Sequence, residues 1–164
     1  MHSTHFAPAT NLLWKYLESV GIDPKPLYKK AGINPALMSN PGARVNISCV
    51  DALWQQAEQV ITDPCFAVKM AEFWHPSQIG ALGYAWLASA TLREAMERLV
   101  RYQRLLSTAA EMDVHEDSDG FHLQIDPSPG IDFGDDAAFT GVISMARELS
   151  HPELKPLNVQ MMRP

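Results

Sequence analysis

Residues 80–107, GALGYAWLASATLREAMERLVRYQRLLS, constrain the fold more than any other stretch. They read as a buried apolar helix, a break at Ser89-Ala90, and a second, amphipathic helix. The break supplies its own cap. Thr91 stands three residues before Glu94, and in a capping box each side chain satisfies a backbone N–H that the first helical turn leaves without a partner. Apolar residues at Leu92, Met96, Leu99, Val100, Tyr102 and Leu106 then follow roughly one face of a 3.6-residue period. The spacing predicts a packed helical pair.

Upstream, helix starts recur in one form. Asp23-Pro24, Asn34-Pro35 and Asp63-Pro64 each place a capping side chain before a proline, which suits the first helical position because it has no N–H to leave unpaired. Ser48 with Asp51 is a further cap. Helices are therefore expected near residues 9–20, 24–31, 35–39, 49–62, 64–74, 79–88 and 92–107, with Gly21 and Gly32 closing the first two. Their apolar faces are wide enough to form one helical layer.

After Ser107 the period changes. Met112 and Val114, then Phe121, Leu123 and Ile125, alternate with polar residues across a turn, and Asp119-Gly120 is a favoured type I′ pair. This predicts a hairpin with Val114 opposite Ile125 on the core face and Asp117 opposite His122 on the other. His115 and His122 face each other only if Ser118-Asp119 forms the loop. Residues 127–136 read as a loop, 137–149 as a last helix, and Leu157, Val159 and Met161 as alternate positions of a third strand. The expected class is α+β, a mostly helical layer packed on a small, largely antiparallel β-sheet containing a hairpin. Residues 1–164 form one domain, and the end at Pro164 suggests a cut inside or just after a larger sheet.

Composition narrows the function classes. Acids outnumber bases 19 to 13, for a net charge of −6, whereas a module that holds nucleic-acid phosphates normally carries a basic face. No signal peptide or membrane-length apolar run is evident, so a cytoplasmic location and no membrane partner are expected. Cys49 and Cys65 read as small core residues. The histidines lack metal-site spacing and read as surface or capping residues, so no metal or cofactor is assigned. There is no nucleophile elbow, phosphate loop or calcium loop, and no catalytic residue is nominated.

Candidate recognition residues lie around the paired helices. Arg93, Arg98, Arg101 and Arg104 fall off the apolar face, and Glu94–Arg98 and Glu97–Arg101 are favourable i,i+4 pairs. Arg104 has no acid partner three or four residues upstream. It and Arg101 are where a carboxylate or hydroxyl-rich effector would meet a planar guanidinium fork. Trp74, Tyr84, Trp86 and Tyr102 are large rings with one polar atom, suited to a pocket and equally to a core. The candidate effector-binding set is Tyr84, Trp86, Arg101, Tyr102 and Arg104.

The wording of residues 80–107 resembles the "LGYA-L-S-TL-EA---L-RY-RLL" signature of the amino-terminal, arabinose-binding-like effector domain of AraC-type bacterial transcription regulators. YLESVGIDPKPLYKKAGINPALMSNPGARVNIS is similar to that family's opening, and LWQQAEQVITDPCFAVKMAE to its continuation, with Thr62 in the place of the usual glycine. The resemblance implies a domain that senses a small molecule, forms a homodimer, and controls a carboxy-terminal helix-turn-helix domain, expected after residue 164, through which alone DNA is contacted. A ligand-free oligomerisation module and a haem or gas sensor are the alternatives. The effector is expected between the helical layer and the hairpin sheet.

Overall fold

The structure is a computed structural model describing residues 3–126 and 132–161. It begins with β1 (Thr4–Phe6), a 3-10 turn, α1 (Asn11–Ser19) and α2 (Pro24–Lys30). A second 3-10 turn leads to β2 (Arg44–Asn46), α3 (Ile47–Val60) and the short α4 (Phe66–Lys69). Then come α5 (Ala81–Leu87), α6 (Leu92–Tyr102), the hairpin β3 (Glu111–Asp117) and β4 (Gly120–Asp126), and α7 (Asp132–Leu149). The class is α+β, as expected. The strands, however, form two separate two-stranded antiparallel sheets, β1–β2 and β3–β4, rather than one sheet.

Several helix starts follow from the residues named above. Asp23 accepts from the Lys25 N–H at 3.0 Å and Asn34 from the Ala36 N–H at 3.0 Å. Thr91 Oγ1 accepts from the Glu94 N–H at 3.1 Å, while the Glu94 carboxylate reaches back to the Ala90 N–H at 2.9 Å, one residue beyond the usual box. Glu94 also meets Arg98, whose other nitrogen donates to the Ala85 carbonyl at 2.6 Å and so ties α6 to the end of α5. The Glu97–Arg101 pair does not form; Arg93 instead meets Glu116 on β3 at 2.6 Å.

Other boundaries differ. Asn46, not Ser48, caps α3: its side chain accepts from the Ser48 N–H at 3.0 Å, so the helix begins two residues early. The expected helix over 64–74 is one α-turn followed by a 3-10 turn, Met70–Phe73. α7 starts before the expected 137, where Asp135 and Asp136 suit the positive end of the helix dipole. The expected loop over 127–131 lies outside the described residues. No third strand forms among residues 150–161: Leu157 is 95 % exposed, and Arg147 Nε on α7 donates to the Leu154 carbonyl at 2.9 Å. That bond holds the chain against α7, away from either sheet, and alternation without a ladder partner is only extended chain. Cys49 is half-buried but Cys65 is exposed, so Cys65 is not a core residue.

The core has two parts. One gathers α1, α2, α3 and α4 around Leu17, Tyr28, Leu53 and Phe66. The other joins α5, α6 and α7 through Leu82, Trp86, Leu99 and Met145. Trp86 is 1 % exposed, and its indole N–H donates to the Met145 carbonyl at 3.1 Å, so the largest ring of this cluster is buried without an orphaned donor. Among the described residues no helix is long and apolar enough to cross a membrane.

Two glycines explain the opening of the 80–107 stretch. Gly80 takes φ +62° between the 3-10 turn Pro76–Ile79 and α5, with the Phe6 ring 3.0 Å from where a Cβ would lie. At Gly83 a Cβ would sit 1.6 Å from the Pro76 carbonyl oxygen. α5 packs backbone-to-backbone on the preceding turn, and only a residue without a side chain allows that approach. Gly83→Ala is expected to cost about 2 kcal/mol or more of unfolding free energy, whereas Ala81→Ser, on the exposed side of the same turn, should stay within about 0.5 kcal/mol; urea denaturation midpoints check both.

Candidate functional site

A cavity of about 180 Å³ lies where the two core clusters meet. Its walls come from several elements: Leu12 and Leu13 of α1, Val50 and Leu53 of α3, Met70 and Trp74 after α4, Leu99 of α6, Val142 and Met145 of α7, and Met112 and Ile125 from the two strands of the hairpin. The hairpin supplies those two residues because Met112 pairs with Ile125 and Val114 with Leu123. This pairing is two residues off the expected one, with the loop moved back by one residue to Ser118-Asp119. The Asp117 carboxylate sets it, accepting from the N–H groups of Asp119 at 2.8 Å and Gly120 at 3.3 Å. Such a side-chain turn overrides the Asp-Gly preference. His115 and His122 consequently face each other on the outer side.

Polar residues in the wall are few: His5, Thr10, Trp74, Ser107 and Asp135. His5, on β1, is partly buried, and the surface it keeps open lines the cavity. Burial, with the Arg44 guanidinium adding to it, pushes its imidazole down from 6.5 to about 4, so it is neutral at pH 7. Arg44 also fastens the strand that carries it, donating through Nε to Thr4 Oγ1 at 2.8 Å, through Nη2 to the Thr4 carbonyl at 3.0 Å, and through Nη1 to the Leu105 carbonyl at 2.7 Å. Trp74, packed against both clusters, lines the cavity, and its indole N–H is buried with no hydrogen-bond partner among the described residues. A buried donor without an acceptor is costly. The Thr10 hydroxyl is already used, donating to the Ala7 carbonyl at 2.7 Å.

The five residues singled out from sequence sit elsewhere. Trp86 is core. Tyr84, 62 % exposed, stands on the outer face of α5, while Tyr102 borders a separate shallow depression with Ala81, Leu82, Ala85 and Leu105. Arg101 and Arg104 are exposed. None of the five lines the cavity. Of its polar groups, Trp74 was visible among the aromatic residues of the sequence. His5 was not, because its place depends on a three-residue strand bridging to Ser107, a pairing that leaves no periodic trace.

Comparison with known proteins now bears on this geometry. The family described as "Arabinose-binding domain of AraC transcription regulator, N-term" matches residues 21–164. The chain belongs to that family. Within this AraC-type domain the signature residues Gly83, Trp86 and Leu99 perform packing, which is why the family is legible without its ligands. The ornithine utilization regulator of Pseudomonas aeruginosa is 27% identical over 94 residues, which is 57% of this chain and 28% of that protein. The chain thus matches less than a third of the length of that relative.

The lowered imidazole of His5 makes a signed prediction. Between about 4 and 6.5 the unfolded chain binds the proton that the folded chain refuses, so stability is full above pH 6.5 and is lost as pH falls toward 4. The loss should amount to at most about 3 kcal/mol, and His5→Gln should remove this component from urea melts recorded across that range.

Proposed function

We propose that this chain is the ligand-sensing domain of an AraC-type transcription regulator and that its effector occupies the cavity at the meeting of the two core clusters. The observation that carries the reading is the cavity itself: a mostly apolar space whose wall includes a neutral imidazole. An effector acts on such a domain by binding one arrangement of its elements better than another. The walls here come from both clusters and the hairpin, so a guest would touch all three. Homodimerisation, and DNA contact through a helix-turn-helix domain outside these residues, belong to the same proposal and are supported by family membership. Family membership also supports a regulatory rather than an enzymatic role.

The chemistry of the walls narrows the effector. A cavity of roughly 150 Å³ lined by aliphatic and aromatic side chains accommodates benzene, so the space here suits a ring with a small substituent or a short alkyl chain. One oxygen would meet His5. The family's description names arabinose, and the relative is named for ornithine. A sugar would bring a hydroxyl on almost every carbon, each costing about 1–3 kcal/mol if buried unpaired, and a zwitterionic diamino acid would bring a carboxylate that no Lys or Arg of the wall meets, Asp135 being, among the described residues, the one charged group there to face its ammonium groups. Neither fits.

Thermal melts test this. Small phenols, aryl ketones and short-chain alcohols should include compounds that raise the midpoint, since a ligand at about a hundred times its Kd adds about 2.7 kcal/mol to the native state. Arabinose and ornithine should not. Ala138→Phe, which fills the cavity from α7, should abolish the response, and Trp74→Phe should weaken it. Stabilisation by the polar compounds alone, or a response that survives Ala138→Phe, would overturn the assignment. A flat response across the whole panel would favour a ligand-free oligomerisation module.

A further inference from the structure

The hairpin register that places Met112 and Ile125 at the cavity puts a second set of residues together on the outward face. His115 and His122 stack with ring centroids 4.7 Å apart and planes 7° from parallel. Asp117, two residues after His115 and therefore on the same face of β3, places Oδ1 2.8 Å from His122 Nε2. One nitrogen from each ring and one carboxylate oxygen all lie within 4.8 Å of one another. Donors at roughly 2.1 Å from a tetrahedral ion are roughly 3.4 Å apart, so small side-chain rotations bring the three onto one centre. We propose that His115, Asp117 and His122 form a binding site for a divalent transition-metal ion of the zinc class, with water completing the shell.

Three features favour a metal over a simple cross-strand contact. The donor set of two imidazoles and a carboxylate suits zinc, copper or nickel, and disfavours magnesium and calcium, which prefer all-oxygen shells. The carboxylate is pre-oriented by the turn, since the N–H groups of Asp119 and Gly120 both donate to it, and such supporting bonds position a ligand before the ion arrives. Neighbouring positions on the same face of the ladder carry Glu111, Asp113 and Asp126, with no Lys or Arg among the hairpin residues. The local field therefore attracts cations. A bound ion would staple β3 to β4 across the strands, and this inference stands independently of whether the cavity takes an effector.

Calorimetric titration of the tag-free, chelator-treated chain with zinc chloride tests the site. One saturable equivalent is expected, weakened at least about tenfold by His115→Gln or His122→Gln, reduced by Asp117→Asn, and unchanged by His75→Gln, whose imidazole lies beside Ser77 and Glu148. Magnesium chloride should give no heat of binding. In the unaltered chain, zinc should shift the imidazole proton resonances of His115 and His122 and leave those of His75 and His151 in place. Absence of saturable binding, binding that survives the double variant His115→Gln/His122→Gln, or resonance shifts confined to other histidines would overturn the proposal.

Discussion

Close packing ordinarily fills a protein interior to the density of an organic crystal, and the boundary between the two core clusters does not reach it. Side chains from α1, α3, α6, α7 and the hairpin converge there and leave about 180 Å³ between them. The rest of the molecule is arranged around this shortfall. Each cluster is complete by itself, with fully buried anchors such as Leu17 and Phe66 on one side and Trp86 and Leu99 on the other. Their junction is open, so a molecule that fills it would make contacts that no side chain among the described residues supplies.

The polar bonds nearest the cavity keep its walls in register. β1 and β2 have three residues each, too short to be stable as an isolated ribbon. Arg44 compensates, since its guanidinium bonds Thr4 and the Leu105 carbonyl and so joins β1, β2 and the segment after α6. Gln103 does the same for the hairpin, its side-chain amide donating to the Met112 carbonyl at 2.9 Å and accepting from the Met112 N–H. The segments carrying His5 and Met112 are thereby held by hydrogen bonds, while Leu53 and Met145 are held by apolar packing.

Much of the local structure was legible because its causes are local. Asp23, Asn34 and Thr91 cap the helices that begin beside them, and the 80–107 stretch is the helical pair its period implies. The errors arose where two local signals competed or where a partner was needed. Asn46 outcompeted Ser48 two residues away, the Asp117 side chain outcompeted the Asp119-Gly120 preference, and the alternation at residues 157–161 found no neighbouring strand. The site was less legible than the fold. Aromatic and arginine residues on α5 and α6 drew attention because recognition chemistry is carried by residue type, yet Tyr84, Arg101 and Arg104 point away from the interior that α6 closes with Leu99.

Sequence alone determined the class of fold, most helix starts, the presence of a hairpin and the family, since each depends on spacing, capping or wording within about thirty residues. Tertiary structure alone decided where the clusters fail to meet, that His5 and Trp74 face that gap, and that His115 and His122 come opposite each other. The physical reason is that a cavity is a property of how several elements stop short of one another. Sequence records what each element buries, and leaves unrecorded the distance at which its neighbours come to rest.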